Sequence, residues 1–235
     1  MIVGIQQPEH VPWLGFFNKL LQVDLFVLLD HVQFKKRYFE NRNLIRTNDG
    51  TQWVTVPVQT KGRYTQAINE VEIDNEQNWS RKYLNSLNRT YARAPFFADR
   101  APDVFKCIDR GWQNLSELNR ELIQLLADQC RITTPIVLSS DLRVEGVSGS
   151  DLILAICEEL SADIYVSGPN GRNYLDSGAF ASKEIKLVYH DYEHPFYPQL
   201  HAPFISHLST LDALFNVAEM EELVQGFTIP LDTAG

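Results

Sequence analysis

The N-terminal part of the chain alternates short apolar runs with an amphipathic stretch. Residues 2–6 (IVGIQ) form one apolar run of strand length, and residues 25–29 form a second. Between them, residues 13–23 place large apolar side chains at helical spacing, directly after Pro12, a residue that helix starts tolerate. A strand, a helix and a second strand within about 30 residues predict a βαβ unit and therefore a parallel sheet.

The rest of the chain divides into a helical middle and an alternating second half. Strands are predicted at residues 135–138, 164–166 and 186–189, and helices at residues 150–160 and 211–224. Helical periodicity dominates residues 78–93 and 103–130, where Gly111 can divide the second helix. Residues 53–58 and 67–73 have the pattern of half-buried strands.

These patterns predict an α/β protein with a mostly parallel sheet, flanking helices and a largely helical middle insertion at about residues 76–131. No repeat or low-complexity linker divides the chain, so we expect a single α/β domain over residues 1–235. Leu, Ile, Val and Phe make up 72 of the 235 residues, which is enough to bury a substantial core. In parallel sheets ligands bind beyond the carboxyl ends of the strands, so the loops there are the places to search.

Charge and composition limit the classes of partner. The net charge is −9, and residues 141–235 carry 15 acidic against 4 basic side chains. Because nucleic-acid binding needs a basic surface, we expect no nucleic-acid partner. No apolar run reaches the roughly 18 residues of a membrane span, and the chain start does not resemble a signal peptide. Cys107, Cys130 and Cys157 suit core packing in a reducing compartment, so we expect a cytoplasmic protein without membrane insertion.

The first candidate loop follows the first predicted strand. It contains Gln6, Gln7, Glu9 and His10 and leads into a predicted helix. Helix N-termini favour anions, and His10 can add a proton donor there. The alternative is that His10 is an ordinary histidine of a surface loop.

The second candidate loop follows the second predicted strand. Asp30 stands at the carboxyl end of that strand, where catalytic and ribose-binding acids often lie, although it can equally cap a turn. Gln33, Asn41 and Arg42 belong to the basic stretch that follows. Several basic side chains on one segment can converge on a phosphate or carboxylate, or they can be a solvated loop. Because its planar fork binds anions in a bidentate manner, we expect Arg42 to contribute more to binding than Lys36.

The third candidate loop follows the strand predicted at residues 164–166. Gly168 and Gly171 let backbone amides approach a ligand closely, Ser167 precedes them, and Arg172 adds positive charge. The loop matches neither a Walker motif nor a dinucleotide fingerprint. A simple structural turn is the alternative interpretation.

Residues 190–201 contain three histidines, two acids and two tyrosines. Histidine and carboxylate side chains are metal ligands, but Pro195 and Pro198 preclude a helix that would bring His190 and His194 onto one face. We therefore expect an ordered loop that lines a polar pocket, with no metal bound. Pro195 favours an extended conformation at His194, which makes this residue our candidate for a general base.

Several blocks of the sequence resemble the WbqC-like protein family. They are QPEHVPWLGFFNKL, DLFVLLDHVQFKKRYFENRNLI, WVTVPV, YARAPFF, LSSDL, YVSGPNGRNYLD and HPFYPQLHAPFISHLSTLDALFN. Together they span nearly the whole chain. Members of the family usually begin with His-Gln-Pro, whereas this chain has Gln6-Gln7-Pro8. Gln6 cannot transfer a proton as that histidine would, and His10 is the candidate to replace it.

The resemblance implies a function in bacterial surface-polysaccharide or O-antigen biosynthesis, by transfer of an acyl, aminoacyl or glycyl group to a sugar precursor. It gives family-motif membership, without catalytic roles, to Gln7, Pro8, Trp13, Lys19, Asp30, Gln33, Asn41, Arg42, Ser167, Gly168, Gly171, Asp176, His194, Gln199, Ser209, Asp212 and Asn216. The opening strand, loop and helix also resemble nucleotide-activating α/β folds of the pantothenate-synthetase kind. ATP or another nucleotide is therefore open as a cofactor, and a sugar nucleotide as the small-molecule substrate.

The leading hypothesis is a transferase whose site residues come from these loops. The candidate catalytic residues are His10, Asp30 and His194. The candidate substrate-binding residues are Gln7, Trp13, Lys19, Gln33, Asn41, Arg42, Ser167, Gly168, Gly171, Arg172, Asp176 and Gln199. The alternatives are a non-catalytic module that binds a sugar nucleotide or a partner enzyme, and a nucleotide-dependent ligase or nucleotidyltransferase-like enzyme. Convergence of His10, Asp30, Arg42, Arg172 and His194 on one cavity favours catalysis, and their scatter over the surface favours a binding or structural protein.

Overall fold

A computed structural model describes residues 1–225 of the chain. The strands are β1 (Ile2–Gln6), β2 (Leu25–Leu28), β3 (Arg42–Thr47), β4 (Gly50–Thr55), β5 (Ile136–Leu138), β6 (Ile164–Ser167) and β7 (Lys186–Tyr189). The helices are α1 (Leu14–Leu21), α2 (Trp79–Tyr91), α3 (Phe97–Ile108), α4 (Leu115–Gln129), α5 (Gly149–Glu159), α6 (Ser177–Ser182), α7 (Thr210–Asn216) and α8 (Met220–Gln225). The predicted α/β class is confirmed. No helix in these 225 residues combines the length and apolarity needed to cross a bilayer.

The central sheet has five parallel strands in the order β5-β2-β1-β6-β7. Strand side chains alternate between two apolar layers, because helices cover both faces of the sheet. Val3 and Val27 pack with Ile153 of α5 on one face, and Phe26 packs with Leu20 of α1 on the other. The prediction that the opening βαβ unit and the strand before Ser167 share one parallel sheet is confirmed.

The strand order creates the crevice that matters for function. From β1 the sheet continues to β2 and β5 on one side and to β6 and β7 on the other. The chain therefore leaves the carboxyl ends of β1 and β6 towards opposite faces of the sheet. Such a topological switch point is where ligands bind in open α/β sheets.

The first third of the chain differs from the expected elements in two places. Residues 42–47, for which no strand was predicted, form β3 and pair with β4 in an antiparallel ribbon. Their arginines and asparagines hide the strand pattern, although Ile45 is fully buried. Residues 67–73 contain a short 3₁₀ turn (Ile68–Glu70) and isolated bridges in place of a strand. Their backbone amides bond to a neighbouring loop instead, since Ile68 N donates to the Val32 carbonyl.

Helix boundaries differ from the predictions where the backbone leaves helical geometry. Gly111 has a φ of 82° and lies between α3 and α4, so the division predicted there is confirmed. The single helix predicted at residues 211–224 is two helices. Val217 adopts an extended conformation (φ −122°, ψ 136°), which ends α7 before α8 begins.

Candidate functional site

A cavity of about 620 Å³ opens at the crevice between β1 and β6. This volume lies within the range of roughly 300–1,000 Å³ that is usual for small-molecule sites. The loop after β1 forms one wall with Gln6, Gln7 and Glu9, and the loop after β6 forms another with residues 168–171. The first turn of α5 contributes Gly149. The location and size of the cavity make it the candidate functional site.

A buried lysine forms the polar floor of this cavity. Lys19 projects from α1 and is only 2% exposed. Its Nζ donates to the Ile5 carbonyl at 2.7 Å and to Gln6 Oε1 at 3.5 Å. Gln6 Nε2 in turn donates to Glu9 Oε1 at 3.1 Å. The two ends of one amide therefore connect Lys19 to Glu9.

Burial brings the pKa values of Lys19 and Glu9 to the same value. Burial lowers the pKa of Lys19 to about 7, although the charge of Glu9 opposes the shift. Burial also raises the pKa of Glu9 to about 7, although the hydrogen bond from Gln6 and the charge of Lys19 oppose it. Near neutral pH either group can gain or lose a proton at little cost, which is the property of a general acid–base pair.

A neutral histidine lies beside this pair at the carboxyl end of β7. His190 lines the cavity, and its Nε2 is 2.6 Å from Asn18 Oδ1. Burial and the charge of Lys19 lower the pKa of His190 to about 4. At pH 7 its imidazole is therefore uncharged.

Aromatic side chains form much of the remaining cavity lining, which we call the aromatic wall. The indole of Trp13 is folded back onto Gly15, and a Cβ atom at position 15 would overlap the ring. His207 stacks on Trp13 with 4.9 Å between the ring centroids. The remaining rings that line the cavity are those of Phe16, Tyr38, Phe39, Tyr165 and Tyr174. Such a wall suits a planar or ring-shaped ligand.

Five of the fifteen predicted site residues line the cavity. They are Gln7, Trp13, Lys19, Gly168 and Gly171. A sixth, Ser167, supports them from behind, because a Cβ atom at position 171 would overlap its Oγ. Glu9, Gln6 and His190 also line the cavity, although none of them was among the predicted site residues. Their positions directly after strand ends were the available signal.

His10 lies outside the cavity and is fully buried. Its Nδ1 is 2.9 Å from Asn119 Oδ1, and its Nε2 is 3.0 Å from the Tyr83 hydroxyl. Burial lowers the pKa of His10 to about 4. Both nitrogens are engaged and the ring is neutral, so this histidine joins the first loop to the helical middle of the chain.

Asp30 binds the segment that follows β5. Its Oδ1 accepts hydrogen bonds from Ser139 Oγ and from the Ser140 amide, both at 2.9 Å, and its Oδ2 accepts one from Ser140 Oγ at 2.8 Å. The side chain is 1% exposed and does not line the cavity. These contacts hold the ends of β2 and β5 together.

His194 lies behind the aromatic wall. Its ring is stacked with Trp13 at 6.2 Å and lies 5.0 Å from the ring of His207. Nδ1 is 2.9 Å from the Pro195 carbonyl. Burial lowers the pKa of His194, although the contact with that carbonyl opposes the shift. This geometry gives His194 a supporting contact with the wall.

The two predicted anion-binding arginines stack on aromatic rings outside the cavity. The guanidinium of Arg42 lies 4.0 Å from the centroid of Trp53 and donates to the Arg37 carbonyl. The guanidinium of Arg172 lies 4.0 Å from the ring centroid of Tyr189. Neither arginine reaches the polar floor, and His10, Asp30 and His194 do not line the cavity either, so these five residues do not converge on it.

The other four predicted residues make local contacts. Gln33 donates to the Tyr64 carbonyl at 3.0 Å, and Asn41 donates to the Val56 carbonyl at 2.8 Å. Asp176 caps α6, and Gln199 Nε2 donates to the Ile205 carbonyl and to Asp212. In residues 1–225 no three His, Cys, Asp or Glu side chains cluster as metal ligands, including those of residues 190–201.

Glu40 is a second carboxyl group with raised proton affinity near the cavity. It is fully buried, and its Oε2 accepts a hydrogen bond from the Lys35 amide at 2.9 Å. Its Oε1 has no hydrogen-bond partner among the residues that the structure describes. Burial raises the pKa of Glu40 to about 7, and the charge of Glu9 adds to the shift, while Lys35 opposes it.

We expect the Glu40→Gln variant to lose part of the pH dependence of stability. Folded Glu40 keeps its proton up to about pH 7, whereas the unfolded chain releases it near pH 4.5. The folded state therefore loses stability as pH rises through this window, by at most about 3 kcal/mol. Urea unfolding at pH 5 and pH 8 should show that the free energy of unfolding of the variant increases relative to that of the wild type as pH rises. The exposed control Glu145→Gln should show no such gain, and an equal difference at both pH values would refute the expectation.

The chain matches the WbqC-like protein family over residues 7–222 and belongs to that family. This confirms the resemblance found in the sequence. The uncharacterized protein Rv1507c of Mycobacterium tuberculosis (strain ATCC 25618 / H37Rv) is 36% identical over 217 residues, which cover 92% of this chain and 93% of that protein. No solved structure matches the chain significantly.

Proposed function

We propose that this member of the WbqC-like protein family is an enzyme that transfers an acyl or aminoacyl group to an amine of a nucleotide-linked sugar for a surface polysaccharide. One observation carries the proposal. Glu9 and Lys19 face a cavity at the topological switch point, are connected through Gln6, and have pKa values near 7. Perturbed ionisable groups that converge in a cavity are typical of acid–base catalysis.

The proposed reaction assigns a task to each member of the pair. The lone pair of the acceptor amine attacks the donor carbonyl carbon, a C–N bond forms, and the bond from that carbon to the leaving group breaks. Glu9 takes the proton that the amine loses and returns it to the leaving group, so protons balance. The ammonium of Lys19 stabilises the negative charge that develops on the carbonyl oxygen.

The other surfaces of the cavity suit a nucleotide-linked sugar. Trp13 and Tyr174 line the cavity, and the ring of Tyr174, which is 55% exposed, can pack against a base or a sugar. Lys35 also lines the cavity and is exposed, so it can meet a phosphate at the entrance. Lys19 and Lys35 bring two positive charges against the one negative charge of Glu9, and this balance favours an anionic substrate.

A nucleotide-dependent ligase or nucleotidyltransferase is the second candidate function. The strand order of the central sheet favours it. If only the five strands of this sheet are numbered in chain order, their order across the sheet is 3-2-1-4-5, which is similar to the order in doubly wound nucleotide-binding folds. In that case ATP would activate the acyl group within the same cavity. This likeness concerns the fold alone and assigns no catalytic residue.

The experiment that tests these functions is a transfer assay on the purified protein. UDP-linked 4-amino sugar serves as acceptor, with acetyl-CoA in one arm and glycine plus ATP in the other, and mass spectrometry detects the acylated sugar. Product with acetyl-CoA supports the transferase. Product that requires ATP supports the ligase, and acceptor binding without product in either arm supports a non-catalytic binding module.

We expect kcat/KM to have a bell-shaped pH profile with its maximum near pH 7. The reaction needs an ionised Glu9, and this carboxyl group becomes protonated below about pH 7. It also needs a protonated Lys19, and this amine loses its proton above about pH 7. Measuring kcat/KM for the acceptor from pH 5.5 to pH 9 checks this. A rate that is level from pH 6 to pH 8 would contradict the assigned roles.

A further inference from the structure

A second, shallower groove lies between β4 and α2. Its volume is about 290 Å³, at the lower end of the range for small-molecule sites. Its lining includes Trp53, Thr55, Gln77, Trp79, Lys82 and Ser86. A groove of this size accommodates one ring and not an extended ligand. Nothing in the proposed chemistry uses it.

Trp53 lines this groove, and because the guanidinium of Arg42 covers one face of its ring, only the other face and the edge can contact a ligand. Trp53 is 40% exposed, which is unusual for so large an apolar side chain. The guanidinium of Arg42 lies 4.0 Å from its centroid, and the ring of Phe39 lies 5.8 Å from it. These neighbours hold the plane of the indole, so a ligand that stacks there orders few additional groups.

The polar groups of the groove select the charge of its ligand. Lys82 is the one charged side chain that lines it. Within residues 1–225, the Nζ of Lys82 and the Oγ1 of Thr55 have no hydrogen-bond partner. An ammonium group and a hydroxyl group are therefore free to meet a carboxylate and a ring hydroxyl. No acidic side chain lines the groove itself, but Asp74 Oδ2 accepts a hydrogen bond from Gln77 Nε2 at its edge, so Gln77 offers only its Oε1 to a ligand.

We propose that this groove binds a single pyranose ring that carries a carboxylate, as in a hexuronic acid. The apolar C–H face of the ring packs on Trp53, its hydroxyl groups meet Thr55 and Gln77, and its carboxylate pairs with Lys82. Phe39 lines the main cavity and also contacts Trp53, so one aromatic side chain joins the two sites. The groove is a second sugar subsite, and only the saccharide class of its ligand rests on the proposed function.

The test is an NMR titration of the full-length protein with glucuronic acid and, separately, with glucose. The indole N–H signals report Trp13, Trp53, Trp79 and Trp112 individually, and the Trp53→Phe variant identifies the signal of Trp53. We expect glucuronic acid to shift the signals of Trp53 and Trp79 in a saturable manner and to bind more tightly than glucose. Lys82→Gln should weaken glucuronic acid binding by about tenfold and leave glucose binding unchanged.

Matched controls separate this proposal from the proposed function. Lys106→Gln changes an exposed lysine on α3 and should leave both titrations unchanged. Glu9→Gln should reduce the rate of transfer strongly but leave sugar binding in the groove intact. The inference is overturned if neither sugar moves the Trp53 signal, if only Trp13 responds, or if Lys82→Gln weakens glucose and glucuronic acid equally.

Discussion

The Glu9→Gln variant is expected to fold normally and to lose about 10²- to 10⁴-fold in turnover. Glutamine keeps the shape of Glu9 and an oxygen that can accept the 3.1 Å hydrogen bond from Gln6, but it cannot take a proton from the acceptor amine. The measurement is kcat in the transfer assay, with circular dichroism as the check on folding. The exposed control Glu193→Gln should retain wild-type turnover.

Stability measurements distinguish a catalytic Glu9 from a structural one. Since burial raises the pKa of Glu9, its charged form destabilises the folded state above about pH 7. Glu9→Gln should therefore unfold at a higher urea concentration than the wild type at pH 8, while it is less active. A variant that is both less stable at pH 8 and normally active per folded molecule would exclude the proposed role.

The second large effect is expected at Asp212, in the core below the aromatic wall. Asp212 on α7 is fully buried, and its Oδ1 accepts a hydrogen bond from the Tyr91 hydroxyl at 2.8 Å. Its Oδ2 accepts hydrogen bonds from the Tyr197 hydroxyl at 3.0 Å and from Gln199 Nε2 at 2.9 Å. The network joins α2, α7 and the irregular segment after β7.

Asp212→Ala should lower the free energy of unfolding by about 3–5 kcal/mol, because it removes the acceptor of the buried Tyr91 and Tyr197 hydroxyl groups and one of the acceptors of the partly buried Gln199 amide. Urea unfolding at pH 7 measures the loss. Asp212→Asn, which keeps one acceptor oxygen, should cost less, and the exposed control Asp191→Ala should cost under about 0.5 kcal/mol. A loss below about 1 kcal/mol for Asp212→Ala would show that water replaces the missing carboxylate.

Apolar strands are the part of the fold that the sequence predicts well. β1, β2 and β6 are almost continuous apolar runs, because central parallel strands are covered on both faces, whereas the edge strand β7 begins with the exposed Lys186. β3 was missed because it lies in a two-stranded ribbon, where one face stays polar. Residues 67–73 have strand composition without a neighbouring strand to complete a ladder. Pairing partners are a property of the whole chain and not of the segment.

The candidate site was predictable in location but not in chemistry. The rule that ligands bind beyond strand ends led to Gln7 and Gly168, whereas Lys19 was indicated by the family resemblance. The importance of Glu9 depends on burial, which changes its pKa and has no local sequence signal. Burial also has no local sequence signal at His10. The sequence therefore predicted a proton donor there, whereas its ring is fully buried in the protein interior.

The central position of β1 has a consequence for how the chain folds during synthesis. One edge of β1 pairs with β2 almost at once, but its other edge pairs with β6, which ends at Ser167. At about 5–20 residues per second, that second edge waits on the order of 10–30 s for its partner to be translated. During this time an apolar strand edge is open to other chains. Nascent protein truncated between residues 140 and 160 should therefore depend strongly on chaperones to stay soluble.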